Sequence, residues 1–382
     1  MEVVPNTKLM LIGLGDLGSI VLELLARIPV PIEIVVGSRN PEQAESRCRL
    51  LRLGALAQGC NPVVRVVPLN LEQIQQTAET IHREKPTILF STATMSTWWL
   101  PDLLPPEQAL LVRGAGFGVW LPVHLAPTLE LMRAVKMSGH TGFTITAPYP
   151  DVVNCMLGRV GLAPTCGIGN VAEMATKVQQ LAAEALQAPT GDVQVSLVAH
   201  HALERYVFRE RSPELNEELP PFLLKIQCRG REITDELDCR SLLFSRFTVP
   251  TGPATHFLTA SATVRLILAL QGETPTRLHV PGPSGLAGGY PVSVDRGGIS
   301  LDLGPISQDT ALAINEASHR FDGIQEIRKD GTAVIGEEGA KVLRDLIGYA
   351  PDRVTIRDVH EQARELAARF RAYAEKQGVR MR

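Results

Sequence analysis

Three glycines, in the stretch Gly13-Leu14-Gly15-Asp16-Leu17-Gly18, stand between two contrasting runs. Residues 8–13 (KLMLIG) read as a short buried strand, and residues 16–27 (DLGSIVLELLAR) carry leucine and isoleucine at helical spacing. In that context each glycine has a physical task. Gly13 permits a tight turn, Gly15 lets the backbone approach a pyrophosphate, and Gly18 allows close packing of helix on strand. The helix start adds unpaired N–H groups and the positive end of its dipole. Gly13, Gly15, Asp16, Leu17 and Gly18 are therefore candidate dinucleotide-binding residues, against the plainer reading of a glycine turn without a ligand.

The alternation continues. Residues 32–36 and 63–69 read as strands, 41–53 and 72–84 as helices, and 87–92 (TILFST) as a fourth strand. Such order implies a parallel sheet wrapped by helices. Thr92, Ala93 and Thr94 would then lie at a carboxyl strand end, where a nicotinamide is expected. Residues 93–122 read as a long connection holding Arg113 and all three tryptophans, Trp98, Trp99 and Trp120. Loops of that length are usually functional. A helix at 125–137 and a strand at 142–147 follow.

Beyond about residue 155 the pattern changes. Residues 172–188 and 260–270 read as helices, 193–208 as an extended segment carrying His200 and His201, and 277–303 as strands with turns. A last helix at 355–378 has Thr355 as its cap, Gly378 at its stop, and one stripe of Val359, Ala363, Leu366, Phe370 and Tyr373. The expected fold class is α/β. An N-terminal Rossmann doubly wound parallel sheet (1–154) precedes an α+β C-terminal catalytic domain (155–350) and a helical extension (351–382).

The second strand ends in Val36-Gly37-Ser38-Arg39-Asn40. An NAD site usually places an acidic residue there for the ribose 2′-OH. Ser38, Arg39 and Asn40 instead offer donors and positive charge, which suits the 2′-phosphate of NADP. Among 382 residues, 38 basic and 41 acidic side chains leave a net charge of −3, so no global electrostatic case exists for a nucleic acid or an anionic membrane. No apolar run is long enough to span a bilayer. The six cysteines contain no C-x-x-C pair, and the cytoplasm is the default compartment.

Two further stretches resemble the lactate/malate dehydrogenase superfamily, which includes the family 4 glycoside hydrolases. Residues 132–177 (MRAVKMSGHTGFTITAPYPDVVNCMLGRVGLAPTCGIGNVAEMATK) look like its helix, its strand ending in an Asn-Pro-Val-Asp type loop, and the turn before its catalytic helix. Within residues 255–303, THFLTASATVRLILAL and GYPVSVDRGGISLDL resemble its long helix and closing strands. The resemblance covers most of residues 8–320. It implies hydride transfer at a hydroxyl or carbonyl carbon, with a histidine as acid/base. Ala199-His200-His201-Ala202 matches the family's Gly-Glu-His-Gly stretch, so His201 takes the catalytic position, with His200 the neighbouring alternative. Glu173 would take the place of the carboxylate that orients the histidine. Thr176 stands where the family has its substrate-carboxylate arginine, and Lys177 points about 100° around the helix. Plain lactate or malate is therefore disfavoured. Arg113 would reach substrate from the long connection, and Trp99, Asn154, Thr255 and His256 are further candidate substrate contacts.

The glycosidase branch implies NAD with a metal held by a cysteine and a histidine. Gly169 replaces that cysteine, and Cys166 lies three residues early, so no metal ligand set is expected. The leading reading is an NADP-dependent oxidoreductase acting on a small-molecule substrate, with a homodimer or homotetramer expected from the superfamily. A redox-neutral glycosidase-like enzyme and a non-catalytic NADP(H) sensor or scaffold are the alternatives.

Overall fold

The computed structural model describes residues 7–208, 217–247, 249–250 and 252–379. Its first half alternates through β1 (Thr7–Ile12), α1 (Asp16–Leu25), β2 (Ile32–Ser38), α2 (Pro41–Ala57), β3 (Val63–Pro68), α3 (Ile74–Glu84) and β4 (Ile88–Ser91). The connection after β4 differs from the long loop that the sequence suggests, because it folds a helix, α4 (Pro106–Gly114), ahead of α5 (Leu121–Ser138). Pro106 sits at the first turn of α4, where its fixed φ and missing N–H cost nothing. Then come β5 (Phe143–Thr146), α6 (Pro150–Arg159) and β6 (Cys166–Gly167).

Among the described residues these six strands form one parallel sheet, in the order β3-β2-β1-β4-β5-β6. This is the doubly wound Rossmann arrangement, and its last strand lies past residue 154. A parallel sheet must be covered on both faces. Alternate side chains of β1 accordingly feed two cores: Leu9 and Leu11 one, Met10 and Ile12 the other. Each such burial contributes roughly 1.5–3 kcal/mol.

The second half runs α7 (Val171–Leu186), β7 (Val193–Val198), α8 (His201–Val207), β8 (Leu223–Cys228), β9 (Arg231–Glu232), α9 (Cys239–Phe244), α10 (His256–Ala269), β10 (Thr276–Pro281), β11 (Gly289–Asp295) and β12 (Gly298–Leu301). It forms two small antiparallel sheets, β7-β8-β9 and β10-β11-β12. The segment read as extended over 193–208 is strand only as far as Val198. The His200 ring accepts from the Ala202 N–H at 3.1 Å and caps α8, which makes His201 the first helical residue.

The chain closes with α11 (Gln308–Ala317), β13 (Ile324–Ile327), β14 (Ala333–Ile335), α12 (Glu337–Ile347), β15 (Arg353–Val354) and α13 (Val359–Lys376). The apolar stripe of α13 packs on α5 through Val359, Ala363, Leu366, Phe370 and Ala374, with the Phe370 ring 4.7 Å from that of Trp120. Tyr373 lies at the margin of this stripe and bonds Gln108 on α4. The turn before β13 packs against Gly118, where any Cβ would lie 2.7 Å from the Asp322 carbonyl. The close approach carries Asp322 to the carboxyl ends of the parallel strands.

Candidate active site

The glycine turn has the form its spacing predicts. Gly13 holds φ +94°, a conformation that side chains resist, and a Cβ on Gly18 would collide with the Gly13 carbonyl. A Cβ on Gly15 would meet nothing within 4 Å. The turn is thus closed beneath and open above, as a pyrophosphate resting on the start of α1 requires. Thr92 fastens it by donating to the Gly13 carbonyl at 2.9 Å. Arg47 on α2, which sequence reasoning missed, donates to the Leu14 carbonyl and the Ser19 hydroxyl.

The segment after β4 is anchored by a proline. Pro127 lies inside α5 and has no N–H for the Val123 carbonyl. That carbonyl instead accepts from the Met95 N–H at 3.0 Å and the Thr94 hydroxyl at 3.2 Å. Ala93 is held by its N–H on the Ser91 hydroxyl at 3.3 Å and packs into the core. At the end of β2, Asn40 caps α2 through Gln43, the Ser38 hydroxyl folds onto the Asn40 backbone, and Arg39 is exposed.

From the glycine turn a cleft of ≈ 2030 Å³ runs to His201. Pockets for one small ligand are usually about 300–1,000 Å³, so this one has room for a dinucleotide and a substrate together. It gathers Gly15, Asp16, Leu17, Thr92, Thr94, Trp99, Arg113, Glu173, His201, Thr255 and His256 from the residues the sequence singled out.

At the inner end His201 Nδ1 lies 2.7 Å from Asp322 Oδ2. The same oxygen accepts from the Tyr149 hydroxyl at 2.9 Å. The His201 backbone N–H donates to Asp151 Oδ1 at 2.9 Å, and Asp151 Oδ2 accepts from the Asn170 side-chain amide. Phe117 packs 4.7 Å from both the His201 and Tyr149 rings and stacks on His124. Tyr149 and Asn170 both take positive φ, +46° and +47°, at the starts of α6 and α7. Such strain costs on the order of 1 kcal/mol each and persists where surrounding structure fixes it.

With Nδ1 committed to Asp322, the nitrogen of His201 left for a ligand is Nε2. Burial alone would lower the His201 pKa. Asp322 outweighs it, helped by Glu204 and Asp151, and lifts the value to about 9. Burial works to raise Asp322, yet His201 holds its carboxyl down to about 2. His200 turns away, its Nε2 3.1 Å from His319 Nδ1, and burial keeps it well below its ordinary value. Burial likewise draws His124 down to about 3. At neutral pH His201 is thus the charged histidine of the group.

Two expectations, for Glu173 and Asn154, need correction. Glu173 does not orient His201: its Oε1 accepts from Thr259 at 2.6 Å, and Asp322 occupies the orienting place. Asn154 is fully buried and lies outside the cleft, bonding Thr146 at 2.9 Å and the Gly282 carbonyl at 3.3 Å. Arg113 lines the cleft, but its guanidinium is engaged by Asp102. Thr255 lines it too, while its hydroxyl donates to the Gly252 carbonyl at 2.8 Å. The cysteine–histidine pair of the glycosidase branch is not assembled here. Gly169 occupies the turn, and Cys166 lies in β6 among buried apolar side chains that push its thiol pKa up.

Sequence reasoning missed Asp322, Tyr149, Asp151 and Glu204. Only the Pro-Tyr-Pro-Asp stretch, at the Asn-Pro-Val-Asp position, carried a signal for any of them.

No protein-family model matches the chain, and no curated protein matches it. Solved structures do. The lactate dehydrogenase of Eimeria maxima with NADH and oxamate superposes with a TM-score of 0.53 at 13% identity, over 84% of this chain and 94% of that one. The malate dehydrogenase of Cryptosporidium parvum gives 0.54 at 14% identity, over 83% and 96%. That of Aeropyrum pernix gives 0.52 at 12%, over 82% and 96%. Sheet order, glycine turn and cleft agree with this likeness, and the chain has the lactate/malate dehydrogenase-like fold.

Proposed function

We propose that the protein is an NADP(H)-dependent oxidoreductase that interconverts a carbonyl and a hydroxyl group on an organic substrate. The observation that carries this reading is a carboxylate-held imidazolium, His201 on Asp322, opening on the same cleft as the glycine turn. The fold alone would not suffice, since one fold hosts many chemistries. A nicotinamide cofactor fits the residues present, with Gly15 leaving room for its pyrophosphate and Arg39 exposed where a 2′-phosphate would lie. When bound, it supplies or accepts the hydride.

The chain's own residues handle the proton. In the reducing direction His201 Nε2 donates its proton to the carbonyl oxygen as the carbon gains hydride, leaving an alcohol and a neutral imidazole. Asp322 fixes the tautomer and stabilises the charged ring before transfer, and Tyr149 holds Asp322. Phe117 covers one side of the imidazole.

NADPH and NADH titrations, followed by aldehyde and ketone panels read by loss of reduced cofactor, test the proposal. NADPH should bind more tightly, and turnover should vanish in His201→Gln. Undiminished turnover in that variant would contradict the assignment.

A further inference from the structure

An oxo acid or hydroxy acid needs a cation to receive its carboxylate, and among the described residues the inner end of the cleft offers no unengaged one besides His201. The Thr176 hydroxyl donates back to the Ala172 carbonyl at 2.8 Å. Lys177 is buried, its ammonium spent on the carbonyls of Val207, Leu243 and Ser245 at 2.7–2.9 Å. Arg113 is paired with Asp102, and Arg205 lies over the Tyr206 ring.

Carboxyl groups, by contrast, stand ready. Glu173 is 7% exposed and lines the cleft, with Oε1 on Thr259 and no partner on Oε2 among the described residues. The Glu204 carboxyl has no hydrogen bond or ion pair among the described residues and lines the same wall. Glu204 is half-buried; an unpaired carboxylate withdrawn from water is costly and is stabilised by a cation that completes it. Trp98, Trp99, Phe117 and Phe208 add aromatic surface, on which an alkylammonium is also favoured.

We propose that the substrate carries an ammonium group, held between Glu173 and Glu204, so that it is an amino-substituted carbonyl or alcohol compound. This rests on the cofactor-linked reading above. The groups facing the Glu204 carboxyl are His201 on α8, Glu173 on α7, Asp151 on α6 and Asp322 on the turn before β13. Burial, with repulsion from Glu204 on Glu173, drives both glutamate pKa values up toward neutrality. An ammonium that draws either carboxyl into its ionised form on binding releases that proton.

All three tryptophans line the cleft, so their fluorescence reports binding without turnover. The probes are benzylammonium, benzyl alcohol and phenylacetate, matched but for the polar group, with Mn²⁺ as a fourth titrant on the full chain. Benzylammonium should saturate at least about tenfold more tightly than benzyl alcohol, as expected for a charge-assisted contact, with phenylacetate weakest. Its affinity should rise from about pH 6 to about pH 8.5 as the carboxyls ionise. Calorimetry in two buffers should show proton release. Glu204→Gln and Glu173→Gln, each verified as folded by thermal unfolding, should each weaken benzylammonium about tenfold. Phenylacetate binding as tightly as benzylammonium, preference for Mn²⁺, or no saturation by any probe would each overturn the inference. NADPH titrated in parallel keeps the failures apart: lost cofactor binding with ammonium selectivity intact breaks only the cofactor reading.

Discussion

The two ends of the cleft are built from different kinds of sequence. Its outer end is six consecutive residues, Gly13 to Gly18, whose geometry follows from one strand, one turn and one helix start. Its inner end draws on Phe117, Tyr149, Asp151, Glu173, His201, Glu204 and Asp322, from five separate segments. The first is specified by local backbone demands. The second exists only where the turn before β13 packs against Gly118 at the strand ends. A glycine turn can therefore be read from a motif, while a histidine held by a distant carboxylate must be read from packing.

Breaking the inner end alone should give the largest effect. Asp322→Asn removes the charge that lifts His201, and turnover should fall by about 10²- to 10⁴-fold while NADPH affinity changes little. Steady-state kinetics with a parallel cofactor titration would show that separation.

The outer end should break in two distinguishable ways. Gly15→Val projects into open space, so the melting temperature should hold while cofactor affinity drops by at least about tenfold. Gly18→Ala meets the Gly13 carbonyl and should cost roughly 1–3 kcal/mol of stability. Thermal unfolding beside cofactor titration checks both.

A finer cut falls on Arg39. A charge-assisted contact is worth about 1.5–3 kcal/mol, so Arg39→Ala should weaken NADPH by about 10- to 100-fold and leave NADH unchanged. Equal effects on both would remove the 2′-phosphate role.

The smallest effect concerns pH and stability. The Glu173 and Glu204 carboxyls are raised in the folded chain above the ordinary 4.5. Stability from their retained protons is then full below about pH 4.5 and lost as pH rises through neutrality. The double Glu→Gln variant lacks that loss. It should melt near wild type at pH 5 and a few degrees above it at pH 8.5, on the scale of about 2–4 °C per kcal/mol.

How much of this was legible follows the same division. The alternation of the first five strands could be read because each carries its own apolar run and each helix its own period, whereas β6 spans only Cys166–Gly167 and gave no such run. Helix α4 escaped because Leu110 and Leu111 on PEQALLVRG are exposed and give it no apolar stripe. Helix α8 was read as strand because it spans seven residues and its cap is a histidine. His201 was found through the pattern around it. Asp322, 121 residues away in a turn with no motif, left no mark in the sequence, and Glu173 was chosen in its place by analogy of position.

The pairing of His201 with Asp322 is the claim on which the account turns, and it can be measured without knowing the substrate. Histidine-resolved NMR titration of the wild type and of Asp322→Asn isolates it. His201 should titrate at about 9 in the wild type, and in the variant should fall toward or below the ordinary 6.5 as burial prevails. Titration near 6.5 in both proteins would show that the carboxylate does not hold the imidazolium and would contradict the assignment.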